Sequence, residues 1–313
     1  MNICNAQNHC NRQSSIRSIL HLRAQILQIV RSYFDDRNFL EVETPIRIPA
    51  PAPEGHIDAI TTDSWYLQTS PELCMKRLLA ADYPDIFQIC KCFRKGERGR
   101  KHLPELTMLE WYCIGHNYLE MMKQTEEFVR YIANKLKMGD AIVYQGTEIH
   151  FEKPWQRLTV TDAFDQYASI DLRTAIKEDR FDEMLVEEIE PHLGVPKPVF
   201  LFDYPASRGA LARLKPEDPA LAERFELYIA GIELCNGFSE LTDSAEQRNR
   251  FQKEQRLRRS YGKKEYPMPD TFLDALNDMP SACGNALGID RLLMLFADTD
   301  KIDDVVAFTP EEL

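Results

Sequence analysis

The sequence predicts an α+β fold in which an antiparallel β-sheet is flanked by helices. Near the N-terminus, apolar residues recur at helical spacing. Two later regions each hold a pair of strand-like segments separated by a charged loop or a tight turn, which is typical of antiparallel hairpins. Near the C-terminus, a glycine-rich segment leads into an apolar helix over 284–295. Together these patterns indicate helices packed around one sheet.

The first helix is predicted to begin at Ser14 and Ser15, whose hydroxyls can cap it, and to end before Asn38. The sequence FLEVETP at 39–45 follows, and Pro45 requires the residue before it to be extended. Taken alone, this pattern is equally compatible with an ordinary core helix and with a helix that has a further role. Its apolar stripe comprises Ile19, Leu22, Ile26, Ile29, Val30 and Tyr33.

Length and composition predict one large domain over 16–313, preceded by a loosely ordered N-terminus at 1–15. No low-complexity linker or internal repeat divides the 313 residues. No run of about 18 apolar residues is present, and the polar N-terminus lacks the apolar core of a signal peptide. We therefore expect a cytoplasmic protein with no membrane association.

The eight cysteines are scattered along the chain without a secretory signal, which predicts reduced thiols. Cys4, His9 and Cys10 could begin a metal site. Because no second ligand pair follows at suitable spacing, a loose polar terminus is the favoured interpretation.

The net charge of −12 argues against a protein that binds the body of a tRNA, because such proteins present clustered Lys and Arg to the phosphates. The one dense basic run lies at 248–264, among Glu and Gln at helical spacing. A solvated helix face is the favoured interpretation of this run. The alternative is a docking surface for an acidic protein.

The first hairpin is predicted from apolar runs at 87–93 and 106–112, which flank a charged loop at 94–105. Arg94 stands at the end of the first strand, where its guanidinium can grip two oxygens of one phosphate. Glu110 and Tyr112 are two apart on the second strand, so both side chains point to the same face, toward a substrate pocket.

The second hairpin is predicted over Arg224–Leu241, with its turn near 229–231. This pairing brings Glu226 and Glu233 close together, where two carboxylates repel unless a cation lies between them. Mg²⁺ bound with ATP phosphates meets that need, because Mg²⁺ is commonly held by one or two carboxylates and phosphate oxygens.

The same hairpin predicts part of an amino-acid pocket, because Asn236, Phe238 and Glu240 alternate onto one face. A buried carboxylate such as Glu240 is costly unless paired, and a substrate ammonium is a natural partner. The turn formed by Ser70, Pro71 and Glu72 offers a second acid, for the substrate amino group near the reacting carboxylate of the substrate. A pocket with acids at both ends suits a diamino acid, although any single Glu is more commonly exposed or in a structural ion pair.

Three segments in this order resemble motifs 1, 2 and 3 of class II aminoacyl-tRNA synthetases: FLEVETP, FRKGERGRKHLPELTMLEWY at 93–112 and GNALGIDRLLML at 284–295. The resemblance covers about 16–308 and is greatest to lysyl-tRNA synthetases and to their stand-alone relatives, the ligases that attach β-lysine to elongation factor P. It implies the class II catalytic fold, a homodimer formed through the first helix and strand, and a reaction that uses ATP and Mg²⁺ to form an aminoacyl adenylate.

The resemblance also implies roles for individual residues. Arg94 would hold the α-phosphate, Arg291 would contact the γ-phosphate and stack on the adenine, and Glu233 would complete the catalytic set. The metal would be held by Glu226 and Glu233. The ATP site would comprise Arg94, Lys95, Gly96, Glu97, His102, Leu103, Leu106, Glu233, Leu234, Gly288 and Arg291. The amino-acid site would comprise Ser70, Pro71, Glu72, Glu110, Tyr112, Asn236, Phe238, Glu240 and Ala286.

The chain departs from the family pattern at four positions. Gly96 stands where the family has a Glu, with Glu97 one place later, and Leu106 replaces a Phe that commonly packs on the adenine. At the position of Ala286 lysyl-tRNA synthetases usually have Gly, whereas the β-lysine ligases have Ala. The resemblance therefore implies a pocket reshaped for an amino group moved one carbon along.

Only residues 1–15 precede the first helix, which leaves no room for an anticodon-binding barrel. We therefore expect a stand-alone ligase that activates (R)-β-lysine and transfers it to a lysine ε-amine of elongation factor P, without stable tRNA binding. One alternative is a truncated synthetase-like enzyme that acylates tRNA or a small amine. Another is a non-catalytic, amino-acid-binding regulatory paralogue, against which the presence of Arg94, Glu226, Glu233 and Arg291 argues.

Overall fold

The computed structural model describes residues 12–313, so Cys4, His9 and Cys10, for which a loose polar terminus is favoured over a metal site, lie outside the described residues. The helices are α1 (Arg17–Asp35), α2 (Glu72–Leu79), α3 (Tyr118–Lys135), α4 (Val160–Tyr167), α5 (Leu172–Lys177), α6 (Phe181–Met184), α7 (Ser244–Ser260), α8 (Asp270–Ala275) and α9 (Ile289–Phe296). The strands are β1 (Leu40–Glu41), β2 (Arg47–Ile48), β3 (Thr61–Thr62), β4 (Trp65–Leu67), β5 (Ile86–Phe93), β6 (Glu105–Ile114), β7 (Ala141–Tyr144), β8 (Thr147–His150), β9 (Gln156–Thr159), β10 (Val199–Pro205), β11 (Leu221–Ile229), β12 (Ile232–Ser239) and β13 (Ala282–Gly288).

An eight-stranded sheet organises the fold, with strand order β1-β5-β6-β13-β12-β11-β10-β9. Its six inner strands pair in antiparallel fashion, while β1 pairs with β5 and β9 with β10 in parallel. The α+β prediction is confirmed, and the parallel edges make the sheet mixed. Both predicted hairpins form, β5 with β6 and β11 with β12.

The second hairpin turns through Ala230 and Gly231, which both have positive φ angles, of 52° and 69°. Two successive left-handed residues give the turn geometry that suits the twist of a two-residue hairpin. A shift in register between Leu227 and Tyr228 then sets which side chains of the two strands face each other.

Helix α1 packs one face on the sheet through Ile26, Val30, Tyr33 and Phe34, all fully buried. Burial of each such side chain contributes about 1.5–3 kcal/mol. The predicted serine cap is wrong: the residue before the helix is Ile16, and no side chain caps the first turn. The helix ends at Asp35, as predicted.

The basic run at 248–264 forms most of α7, and its arginines differ in role. Arg258 is only 2% exposed and donates to the carbonyl oxygens of Glu54 and Ile57 at 2.7 and 3.0 Å. Arg259 is exposed and pairs with Glu265 at 2.7 Å. Arg258 is therefore neither part of a solvated face nor available to an acidic partner, and both interpretations are wrong at that position.

The six cysteines within residues 12–313 are free thiols, in agreement with the expectation for that part of the chain. Over the same residues, no helix combines the length and the apolar character needed to cross a membrane.

Candidate active site

A cavity of about 1130 Å³ opens on one face of the eight-stranded sheet. It is lined by β6, β11, β12 and β13, by the loop after β5, and by the start of α9. Of the predicted site residues, Pro71 and Lys95 do not line it. Those that do are Ser70, Glu72, Arg94, Gly96, Glu97, His102, Leu103, Leu106, Glu110, Tyr112, Glu226, Glu233, Leu234, Asn236, Phe238, Glu240, Ala286, Gly288 and Arg291.

The strand register aligns several of these side chains in one row across the sheet. Glu110 of β6 lies opposite Ala286 of β13, which lies opposite Asn236 of β12, which lies opposite Glu226 of β11. Directly opposed residues on one face have Cβ atoms about 4.5–5.5 Å apart. The methyl group of Ala286 therefore stands between a carboxylate and an amide in the cavity floor.

Gly284 leaves room for the large side chains of Glu240 and Tyr112 in the cavity floor. A Cβ atom at this position would lie 2.4 Å from both Glu240 Oε1 and Tyr112 Cε1. Any side chain there would displace one of them. The glycine is therefore required for Tyr112 of β6 and Glu240, just after β12, to approach each other across β13.

Glu110 lies at the acidic end of the cavity and is the more readily protonated because its pKa is raised. It accepts hydrogen bonds from Ser70 Oγ at 2.6 Å and from the Tyr112 hydroxyl at 3.1 Å, which confirms that Glu110 and Tyr112 share a face. Burial, with a further contribution from the charge of Glu72, raises the pKa of Glu110 to about 8.

Lys76 joins the other two acids and was not predicted from the sequence. Its ammonium is buried, forms an ion pair with Glu240 at 2.5 Å and a second with Glu72, and lies 5.0 Å from the centre of the Phe238 ring. Burial alone would lower the pKa of Lys76, but Glu240 and Glu72 together raise it. The spacing of four between Glu72 and Lys76 on α2 was the available sequence signal.

Glu240 keeps hydrogen-bonding capacity despite this ion pair. Its Oε2 is held by Lys76, whereas its Oε1 has no hydrogen-bond partner within residues 12–313. Burial raises its pKa to about 8; Lys76 opposes that rise and the charge of Glu72 adds to it. The carboxylate can therefore accept hydrogen bonds from an ammonium group placed in the cavity.

The other end of the cavity is cationic. Arg94 follows β5, and its Nε–H is buried without an acceptor among the described residues. Arg291, near the start of α9, donates to Glu233 Oε2 at 3.1 Å and lies 2.6 Å from His102 Nε2 through Nη2. A guanidinium with an unsatisfied N–H, in the same cavity as a second guanidinium that is firmly held, is suited to binding phosphate oxygens.

Asp290, in the same turn, serves the fold. It accepts from Arg23 of α1 at 2.6 Å and from the backbone N–H of Thr107 at 2.7 Å, and it is 2% exposed. These bonds tie α1, β6 and α9 together directly behind Arg291. The aspartate therefore fixes the position of the arginine, and its carboxylate is occupied by these bonds although Asp290 borders the cavity.

Glu226 and Glu233 both line the cavity, although the register pairs Glu226 with Asn236 and Glu233 with Tyr228. Glu226 accepts from Tyr204, Tyr228 and Arg224 at 2.6–2.7 Å. These three bonds use most of the roughly four acceptor positions of a carboxylate. The other acid, Glu233, has no partner at Oε1 within residues 12–313.

The ionisation of these acids bears on metal binding. Burial alone would raise the pKa of Glu233, but the charge and hydrogen bond of Arg291 lower it, so this carboxylate is ionised. The described residues contain no group of three or more acidic, His or Cys side chains placed to hold a metal ion. Two carboxylates nevertheless fit Mg²⁺, which takes its other ligands from phosphates and water, and Glu233 has the freer oxygen.

Comparison with known proteins adds independent information. A sequence profile of the tRNA synthetases class II (D, K and N) matches residues 5–312. The "Elongation factor P--(R)-beta-lysine ligase" of Salmonella gallinarum is 38% identical over 312 residues, covering 95% of this chain and 96% of that protein. Proteins of the same name from Edwardsiella ictaluri and Salmonella arizonae are each 37% identical and cover 92% of this chain.

Proposed function

We propose that this chain, which belongs to the class II tRNA synthetase family (D, K and N), is an ATP-dependent ligase that modifies elongation factor P. It activates (R)-β-lysine as an adenylate and transfers it to a lysine ε-amine of that protein. The observation that carries the proposal is a single cavity with buried carboxylates at one end and two arginines at the other. The relatives that match almost the full chain support the choice of amino acid and acceptor.

The charges at the acidic end suit a diamino acid. Among residues 12–313, Lys76 alone compensates Glu72, Glu110 and Glu240, so two negative charges remain when all three acids are ionised. A substrate with two ammonium groups would neutralise both. Buried charges that lack partners are costly, so a monoamino acid would leave one carboxylate either unpaired or protonated.

The cationic end suits the activation step. The substrate carboxylate attacks the α-phosphorus of ATP and pyrophosphate leaves, which increases the charge on the phosphate oxygens. Arg94 would bind the α-phosphate through its unsatisfied N–H, and Arg291 would bind the γ-phosphate. Glu233 and Glu226 would hold Mg²⁺, which would neutralise part of the triphosphate charge when bound.

The oligomeric state, cellular location and tRNA binding of the protein can also be inferred. We propose a homodimer formed through α1 and the following strand, a region where Leu40 and Ile46 are 42% and 43% exposed. We propose a cytoplasmic location, which agrees with the free thiols among residues 12–313. No stable tRNA binding is expected, because the net charge is −12.

The test is ATP–pyrophosphate exchange with a panel of α- and β-amino acids, followed by intact-mass analysis of elongation factor P. We expect exchange to be fastest with (R)-β-lysine, and the acceptor to gain the mass of one β-lysyl group. Charging of tRNA with no change in the acceptor would instead favour a truncated synthetase-like enzyme. Absence of exchange with every amino acid would favour the regulatory paralogue.

Replacement of Ala286 by Gly is expected to shift preference from β-lysine toward α-lysine. Ala286 lies between Glu110 and Asn236 in the cavity floor, so its methyl group occupies space that the amino group of α-lysine would need. One methyl group in a packed pocket is worth on the order of 1–3 kcal/mol, or about ten- to two-hundredfold in discrimination. The measurement is the ratio of kcat/KM values for the two amino acids in the exchange assay.

Cys283→Ala is a matched control on the same strand, because Cys283 is buried and does not line the cavity. This change should leave the ratio of kcat/KM values within about twofold. An unchanged ratio in Ala286→Gly, or a wild type that activates α-lysine better, would contradict the proposed specificity but not the ligase reaction.

A further inference from the structure

One wall of the active-site cavity is made by residues to which the activation reaction assigns no role. This outer wall consists of the loop 53–57, the segment 206–214 and the residues 246–254 of α7. At about 1130 Å³, the whole cavity exceeds the usual range of small-molecule sites, about 300–1,000 Å³. The outer wall therefore encloses space that can admit a second substrate beside the adenylate.

The loop 53–57 is held firmly from behind by α7 and by Lys263, just after that helix. The buried Arg258 donates to the carbonyl oxygen of Glu54 at 2.7 Å, and the backbone N–H of Gly55 donates to Glu254 Oε2 at 2.8 Å. Lys263 adds a bond to the carbonyl oxygen of Gly55 at 3.0 Å. These bonds fix the backbone of Glu54, so its side chain projects from a rigid support.

The Glu54 carboxylate differs from the other acids of the cavity because it has no partner. It lines the cavity and is half-buried, and no described residue between 12 and 313 forms a hydrogen bond or ion pair with it. It is close enough to Arg94 and Glu72 for their charges to act on it. Arg94 would bind the α-phosphate, and Glu72 would bind the substrate amino group next to the reacting carboxylate, so Glu54 would lie near the place where the acyl–phosphate bond forms.

We propose that the outer wall admits the acceptor lysine, and that Glu54 is the catalytic residue that binds its ammonium and removes a proton before transfer. This inference rests on the proposed function. A protein lysine is protonated at neutral pH, because its ordinary pKa is about 10.4, and an ammonium group has no lone pair with which to attack. A carboxylate on a rigid loop supplies both a counter-charge and a proton acceptor.

The transfer step breaks one bond, forms one bond and moves two protons. Glu54 takes one proton from the acceptor ammonium, and the nitrogen lone pair attacks the acyl carbon of the adenylate. The bond between that carbon and the phosphate oxygen breaks, AMP leaves with the electron pair, and an amide bond forms. The second proton of the attacking nitrogen passes to the departing phosphate.

The electrostatics of the site agree with this role. Burial raises the pKa of Glu54 to about 7; Arg94 and Arg224 oppose the rise, while Glu72 and Glu254 add to it. A general base is most effective when its pKa is near the working pH. The carboxylate is therefore about half ionised at neutral pH, and the transfer rate should rise as the pH increases through 7.

The test is Glu54→Gln, with the two half-reactions measured separately. We expect ATP–pyrophosphate exchange with β-lysine to stay within about threefold of wild type, and single-turnover transfer to elongation factor P to fall by about 10²-fold or more. The rise of the transfer rate near pH 7 should also disappear. Hydroxylamine, which is unprotonated at neutral pH and needs no base, should still trap the adenylate of the variant at the wild-type rate.

Glu265→Gln is the control, because it removes one negative charge from an exposed pair with Arg259 just after α7 and Glu265 does not line the cavity. It should leave both half-reactions within about threefold of wild type. Normal transfer by Glu54→Gln, or equal losses of exchange, transfer and hydroxylamine trapping, would overturn the inference while the proposed function stands. Absence of β-lysine exchange in wild type would overturn the proposed function, and the inference with it.

Discussion

Replacement of Glu233 by Gln is expected to lower ATP–pyrophosphate exchange by about 10²- to 10³-fold. Glu233 Oε2 accepts from Arg291 at 3.1 Å, and its Oε1 faces the cavity without a partner within residues 12–313. An amide carries no charge, so it would weaken both the hold on Arg291 and the binding of Mg²⁺. The measurement is exchange with β-lysine at increasing Mg²⁺, where the variant should need a higher concentration.

Glu223→Gln serves as the control for this prediction. Glu223 lies on β11, pairs with Arg213 at 2.6 Å and does not line the cavity. The control therefore removes a partly buried glutamate–arginine pair from the same hairpin without touching the site. We expect exchange within about threefold of wild type. Normal exchange in a folded Glu233→Gln protein would remove Glu233 from the metal and phosphate site.

The parts of the fold that were predicted correctly depend on local pattern. The hairpins around 94–105 and 229–231 are encoded by short apolar or alternating runs next to their own turns, so neighbours in sequence are neighbours in the sheet. The parallel pairing of β1 with β5 joins Leu40 to Ile86 and depends on tertiary packing. No local pattern specifies such a partner.

The site shows the same division. The alternation of side chains along a strand predicted that Glu110 and Tyr112 share a face. The resemblance to class II synthetases predicted the arginines and most of the acids. The burial of Lys76 and Arg258 could not be predicted, because a basic residue within a charged helix is normally exposed. Each becomes buried only because distant chain segments supply its partners: Glu240 for Lys76, and the loop containing Glu54 for Arg258.

Replacement of Lys76 by Met is expected to destabilise the protein by about 3–5 kcal/mol, the usual effect of removing one partner of a buried ion pair. Lys76 is 2% exposed, and its loss leaves Glu72 and Glu240 facing each other without a cation. The measurement is the free energy of unfolding from urea denaturation. Lys91→Met, which removes an exposed pair with Glu105, should change it by less than about 1 kcal/mol.

The destabilisation caused by Lys76→Met should depend on pH in a definite direction. The pKa of Glu240 is already raised to about 8 in the folded protein, against about 4.3 in the unfolded chain, so the folded state binds the proton more tightly. A group of this kind contributes stability that is lost as the pH rises through its folded pKa, and without Lys76 that pKa should rise further. The effect of the substitution should therefore be small near pH 5 and largest above pH 8.

The double variant Lys76→Met with Glu240→Gln should recover much of the loss, since a neutral pair no longer buries an uncompensated charge. An effect of Lys76→Met that did not change between pH 5 and pH 8.5, or a double variant no more stable than the single one, would show that the lysine matters through packing and not through its charge.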